Sequence, residues 1–99
     1  MQPQTTAEEA RRVLGKAADY ITRRGWCQHE WFDIQDRACI GGAIHTFAPS
    51  PEIEREAHRL VMEVVGQRWD VWQDAPGRTK TEVLDALGQA AQALALAVI

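Results

Sequence analysis

Residues 69–79 read WDVWQDAPGRT and run directly into KTEVL at 80–84. This stretch holds two of the four tryptophans, together with two carboxylates, an amide, a Pro-Gly turn and an arginine. Thr79 and Glu82 have the spacing of a capping box, in which each side chain bonds the backbone amide of the other residue. The stretch therefore predicts a shaped turn, braced by Asp74 and Arg78, that places Thr79 at the start of a final helix reaching about Ala97.

Towards the amino terminus, a second capping box predicts the first helix. Thr6 is followed three residues later by Glu9, and apolar residues then recur at helical spacing as far as Ile21. Gly25 has the position of a left-handed helix cap, and Trp26 after it is placed to fold back over the last turn. We therefore predict a helix from Thr6 to the residue before Gly25.

Two further helices are predicted in the middle of the chain. Asp36 is a suitable cap for a helix over 37–48. The sequence Pro-Ser-Pro at 49–51 ends that helix and starts the next, with Ser50 as the cap and Pro51 in the first turn. The third helix is predicted over 51–67.

Residues 26–37, WCQHEWFDIQDR, show no helical period. They predict an aromatic-rich loop, with a short extended segment near 31–34 as an alternative for part of it. Together with the helices, this predicts an all-α fold: a single domain over 1–99, built as a compact bundle of about four helices with a long Trp-rich loop and a frayed end at 1–5.

Composition limits the classes of function. The chain of 99 residues is 45% apolar and 25% charged, as in an ordinary globular domain, and its net charge is -3. Its basic residues are dispersed, which disfavours nucleic-acid binding; a basic face would have to be assembled from Arg11, Arg12, Lys16, Arg23 and Arg24. It contains no run of about 18 apolar residues that would span a membrane, so we expect a cytoplasmic location.

The pattern of cysteines and histidines favours neither thiol nor metal chemistry. Cys39 falls near the start of the predicted second helix, where the helix dipole favours a thiolate, but His45 on the same helix is poorly placed as its base. The potential metal ligands are Cys27, His29, Cys39, His45 and His58. Their spacing is not that of a structural zinc site, so no metal is predicted. Both cysteines are expected to be reduced, with at least one buried.

Gly41 and Gly42 lie side by side inside the predicted second helix. Each glycine costs about 1 kcal/mol relative to alanine in a helix interior. The pair therefore predicts a close approach, either of the first or last helix or of a ligand.

Arg78 has two interpretations. Its planar guanidinium suits a phosphate or carboxylate near the start of a helix. Alternatively, Arg78 and Asp74 pair with each other, or with loop carbonyls, to hold the turn. The tryptophans likewise either cover the ends of the bundle or form a binding surface. The residues predicted for such a surface are Trp26, Trp31, Trp69, Trp72, Asp74 and Arg78.

Three segments carry a resemblance to a known family: Gly25-Trp26, CIGGAI at 39–44, and WQDAPGRTKTEV at 72–83. With these segments the chain resembles a family of small uncharacterised proteins, common in actinobacteria and their phages, that is classed as a domain of unknown function. Gln73 stands where the family pattern leads us to expect Asn. The resemblance implies a shared fold but no activity, cofactor or substrate, and it implies a phage or host-regulatory setting.

The sequence favours a non-enzymatic protein-interaction module without a cofactor. The partner would bind the Trp-rich loops or the apolar end LALAVI at 94–99, which also suits a homodimer contact. The alternative is a small-ligand or enzymatic site formed by Cys39, Gly41-Gly42 and Arg78, for a ligand that carries a phosphate or carboxylate.

Overall fold

The structure is a computed structural model that describes the backbone of residues 5–97 and the side chains of residues 5–92. Over this range the chain forms five helices: α1 (Thr6–Arg24), α2 (Ile40–Phe47), α3 (Pro51–Val65), α4 (Trp69–Gln73) and α5 (Lys80–Ala97). The predicted all-α fold is confirmed. The stretch after Gly66, predicted as a connection only, contains the short helix α4. The contact surface predicted at 94–99 lies outside the described side chains.

The cap of α1 lies one residue earlier than predicted, although the helix itself begins at Thr6 as expected. Thr5, not Thr6, is the cap, and its hydroxyl accepts the Glu8 amide at 3.1 Å. The Glu8 carboxylate in turn accepts the Thr5 amide at 3.4 Å, so the box is Thr5 with Glu8 rather than Thr6 with Glu9. Both pairs have the required spacing. The earlier register gives the helix one more backbone bond, from the Glu9 amide to the Thr5 carbonyl at 3.0 Å.

The start of α2 is three residues later than predicted, and Cys39 replaces Asp36 as the cap. Asp36 has φ 60, a left-handed conformation that does not suit a helix cap. Ala38 donates to the Gly25 carbonyl and Cys39 donates to the Trp31 carbonyl, at 3.1 and 3.0 Å. The backbone of these residues is therefore bonded to the preceding loop, which delays the helix to Ile40.

The starts of α3 and α5 are confirmed. Ser50 caps α3 by accepting the Ile53 amide at 3.2 Å, and Pro51 occupies its first turn. The α3 helix ends at Val65, two residues before the predicted end, because Gly66 adopts a left-handed cap. Thr79 and Glu82 form the predicted box, with bonds of 2.9 and 3.2 Å between each side chain and the other amide.

The core lies where α1 packs against α2, α3 and α5. Its largest fully buried apolar side chains are Leu14, Ile21, Ile40, Ile44, Leu60, Val61, Val83 and Leu87. Helix α4 packs against α2 and α3 at one end of this core. That end also receives the loop between α1 and α2, so the two Trp-bearing segments lie together.

The loop between α1 and α2 has little regular structure. Its only bridges within the described residues join Ala38 to Trp26 and to Phe32. The short extended segment considered near 31–34 is therefore limited to one bridge at Phe32. Within residues 5–97, no helix combines the length and apolarity required to cross a bilayer.

Candidate functional site

Gln73 connects the two Trp-bearing segments. Its side chain is only 1% exposed, at the end of α4. The Gln73 Oε1 accepts hydrogen bonds from Trp26 Nε1 at 3.2 Å and from the Ile40 amide at 2.9 Å. Its Nε2 donates to Asp74 Oδ1 at 2.9 Å. One amide side chain therefore joins α4 to the start of the loop between α1 and α2, which we call the first loop, and to the start of α2.

Asp74 and Gln28 make further contacts between the same two segments. Asp74 Oδ1 accepts the backbone amide of His29 at 3.0 Å. Gln28 Nε2 donates to the carbonyls of Gln73 and Ala75 at 2.8 and 3.1 Å. Asp74 was predicted to brace its own turn, but its contacts are to Gln73 and to the first loop, 45 residues earlier in the chain. It therefore holds the two segments against each other.

Arg78 braces the turn through a backbone carbonyl, as in one of the two predicted arrangements, but the carbonyl is that of Trp72 in α4 and not one of the loop; pairing with Asp74 does not occur. Its Nε donates to the Trp72 carbonyl at 2.9 Å, and Nη1 contacts Glu82 Oε2 at 3.1 Å. Its guanidinium also lies over the Trp72 ring, 4.1 Å from the centroid. Arg78 lines a groove with Trp72 and α3, which is not the pocket lined by Cys39. The structure does not bring these two predicted residues into one site.

Three of the four tryptophans pack against the core, as the first interpretation predicted: Trp26, Trp69 and Trp72. The Trp69 ring covers Gly41 and lies 5.3 Å from the ring of His58. Burial lowers the pKa of His58, which keeps that imidazole neutral at pH 7. Trp31 differs from the other three because it is 49% exposed.

The close approach predicted at Gly41 and Gly42 is confirmed, but the neighbours are not the first or last helix. A Cβ on Gly41 would meet the six-membered ring of Trp69. A Cβ on Gly42 would meet the backbone carbonyl of Trp31. The two glycines therefore allow both Trp-bearing segments to pack directly on α2.

Both cysteines are free and buried, so no disulfide joins them. The Cys39 Sγ accepts the Gly42 amide at 3.3 Å as the cap of α2. Burial nevertheless raises the pKa of Cys39, even though the amides of Gly42 and Gly41 act in the opposite direction. Burial, with Asp33 nearby, raises the pKa of Cys27 to about 11. The arrangement favours two neutral thiols, not a nucleophile.

We expect both thiols to react slowly with a disulfide reagent in the native protein. For Cys27, a pKa of about 11 in place of 9.0 reduces the thiolate at pH 8 about a hundredfold. The measurement is the rate of reaction with DTNB for Cys27→Ser and Cys39→Ser, native and in denaturant. Rapid native reaction of the thiol in Cys27→Ser would show that Cys39 is accessible and activated.

A shallow pocket of about 260 Å³ opens between the first loop and α4. Its lining residues are His29, Glu30, Trp31, Cys39, Trp69, Asp70, Gln73 and Asp74. Asp70 is paired with Arg68, whose Nη2 lies 2.7 Å from Asp70 Oδ2. No group of three or more metal-ligating side chains converges within the described residues. The pocket is acidic and aromatic, which does not suit a phosphate or carboxylate.

The first loop presents an exposed apolar surface of which the sequence analysis identified only Trp31. Trp31, Phe32 and Ile34 are 49%, 38% and 99% exposed. We call these three residues the apolar loop tip. Their signal in the sequence was an apolar cluster in a segment without helical period, a pattern that fits a buried loop equally well.

The loop behind the tip is fixed by Asp33. Its Oδ1 accepts the amides of Gln35 and Arg37, both at 2.9 Å, and Oδ2 pairs with the Arg37 guanidinium. Burial alone would raise the pKa of Asp33, but these hydrogen bonds from Arg37 and Gln35 hold it below its usual value. Tyr20 donates to the Asp36 carbonyl at 2.8 Å. The tip is therefore exposed but held by ordered polar contacts.

Comparison with known proteins gives a family but no activity. No curated protein and no solved structure matches the chain. One family model matches residues 5–93, a range that contains every contact described above. The chain therefore belongs to the family of unknown function DUF6197.

Proposed function

We propose that this domain is a protein-interaction module that binds its partner through the apolar loop tip. The observation that supports this best is Ile34, an isoleucine that is 99% exposed and follows two exposed aromatic residues, Trp31 and Phe32. Burying one such side chain in an interface is worth about 1.5–3 kcal/mol. Exposing this apolar surface to water is unfavourable in free energy, and a partner that buried it would remove that cost.

The contacts of Asp33 add a second argument. A loop that is already ordered loses less conformational entropy when it binds, so more of the contact energy contributes to affinity. Trp31 is also restrained, because its ring packs 4.7 Å from that of His45 and its carbonyl accepts the Cys39 amide. Tryptophan is enriched among the residues that dominate binding energy in interfaces.

A ligand site at Cys39, Gly41-Gly42 and Arg78 has less support. Cys39 is buried, the two glycines are covered by Trp69 and Trp31, and Arg78 lines a separate groove. Within the interaction proposal, the phage or actinobacterial setting implied by the resemblance would make a cytoplasmic host protein a reasonable class of partner.

The proposal is tested by site-specific photo-cross-linking in the native cell. A benzophenone amino acid replaces Ile34 in one version of the protein and Met62 in another. Met62 is a matched position because it is an exposed apolar residue, on α3 rather than on the tip. We expect a discrete adduct with another protein from position 34 and none from position 62.

A second substitution makes the result specific. Trp31→Ala, combined with the cross-linker at position 34, is expected to reduce the adduct about tenfold or more, as for the loss of a central interface tryptophan. Absence of an adduct at position 34 would contradict the proposal. If the only adduct has the mass of two copies of this chain, the tip binds a second copy and not a different protein.

A further inference from the structure

The acidic pocket lies directly beside the apolar loop tip, and Trp31 belongs to both. Trp31 and Trp69 are the aromatic residues among its lining, and Glu30, Asp70 and Asp74 are the acidic ones. A partner docked on the tip would therefore place a neighbouring side chain at this pocket. The chemistry of the walls indicates which side chain fits.

The pocket has an excess of negative charge. Glu30 makes no ion pair with any residue of the described chain. Asp74 accepts amides, and its nearest basic group is the His29 imidazole at 3.8 Å, which carries charge only when protonated. Asp70 alone has a full cationic partner, Arg68. Two of the three carboxylates are thus left without a permanent countercharge.

We propose that this pocket receives the guanidinium of an arginine on the protein partner, an inference that rests on the proposed interaction function. A guanidinium is planar and weakly hydrated, so it stacks on indole rings and donates paired hydrogen bonds to carboxylates at the same time. An ammonium group also bonds carboxylates, but as a point charge without the paired geometry, and it stacks less well on indole rings. An anionic group would be repelled by Glu30 and Asp74.

Because of the contact between Arg68 and Asp70, the inference predicts that removing one charged residue strengthens binding of the arginine. The Arg68 side chain is 71% exposed and holds Asp70 through two bonds, of 3.1 and 2.7 Å. It therefore satisfies one of the carboxylates that an incoming arginine would use. Removing Arg68 should strengthen binding, whereas removing Glu30 should weaken it.

The test is an NMR titration of the full chain with the peptide acetyl-Gly-Arg-Gly-amide, using citrulline and lysine peptides of the same form as comparisons. We expect shifts at the indole N–H groups of Trp31 and Trp69 with the arginine peptide and binding about tenfold weaker with citrulline, which is neutral but has the same shape. Trp31→Ala should weaken binding of the arginine peptide about tenfold. Added salt should weaken it as well.

Charge variants give the sharper measurement. Glu30→Gln should lower the affinity for the arginine peptide about threefold, and Arg68→Gln should raise it about threefold, as expected for single, partly exposed charges. Glu52→Gln is the matched control, since Glu52 is an exposed acid in the first turn of α3. It should leave the affinity unchanged, and circular dichroism should show each variant folded.

Several results would overturn the inference. Equal binding of the citrulline peptide would exclude recognition by charge, and equal binding of the lysine peptide would exclude a guanidinium-specific pocket. Arg68→Gln without a gain would show that Asp70 takes no part. The titration needs no native partner, so it is independent of cross-linking at position 34. A cross-linked adduct at position 34 without binding of the arginine peptide would leave the proposed function in place and contradict only the inference that the pocket receives an arginine.

Discussion

Replacing Gln73 with alanine is expected to lower the free energy of unfolding by about 3–5 kcal/mol. The change leaves the indole N–H of Trp26 and the amide of Ile40 without their acceptor. A buried donor without a partner costs about 1–3 kcal/mol. The lost side-chain volume at a position only 1% exposed adds a cavity. Urea denaturation followed by circular dichroism measures this loss.

Two further substitutions separate hydrogen bonding from packing at this position. Gln73→Asn keeps the amide but shortens it by one methylene, so it should lose one of the two accepted bonds and cost about 1–3 kcal/mol. Gln89→Ala removes the same side chain from an exposed position on α5 and should change stability by less than about 0.5 kcal/mol. A loss below about 1 kcal/mol for Gln73→Ala would show that water replaces the amide.

The parts of the fold that were predictable depend on contacts within a few residues. Ser50 and the pair Thr79 and Glu82 satisfy helix amides three residues away, so their spacing in the sequence is sufficient. The capping box of α1 lies one residue away from its predicted position because Thr5 and Thr6 are each followed three residues later by a glutamate. Local chemistry predicts that a capped helix exists here but leaves two registers open.

The start of α2 shows why other boundaries were missed. Asp36 is a suitable cap by its chemistry, but the Cys39 amide bonds the Trp31 carbonyl and the Ala38 amide bonds the Gly25 carbonyl. These partners lie in a loop with no regular period, so nothing in the sequence identifies them. Tertiary hydrogen bonds here decide where the helix begins.

The candidate site was predictable only as a region. The Trp-bearing segments and the close approach at Gly41 and Gly42 were identified, because indoles and paired glycines are unusual in their positions. The role of Gln73 was not predictable, since the residues that donate hydrogen bonds to its side chain, Trp26 and Ile40, lie 47 and 33 residues away in the chain. The exposure of Ile34 was also not predictable, because an apolar residue in a loop gives no indication of which way it faces.

Replacing Gly42 with alanine is expected to cost about 2–4 kcal/mol of unfolding free energy and to displace the apolar loop tip. The new Cβ would meet the Trp31 carbonyl oxygen and would lie 2.9 Å from the carbonyl carbon. That carbonyl also accepts the Cys39 amide at 3.0 Å, so moving it breaks the bond that precedes α2. The indole of Trp31 would then leave its place in the tip and in the lining of the acidic pocket.

Two other glycines give the control for this prediction. Gly41→Ala would meet ring atoms of Trp69, a side chain and not backbone, so it should cost less than Gly42→Ala. Gly15 on α1 has no atom within 4 Å of its Cβ position, and Gly15→Ala should therefore stabilise the protein by about 0.5–1 kcal/mol. Thermal unfolding of the three variants tests the order. If Gly42→Ala is as stable as Gly15→Ala, then backbone contact at Trp31 does not position the tip, and the rigidity on which the binding proposal relies is lost.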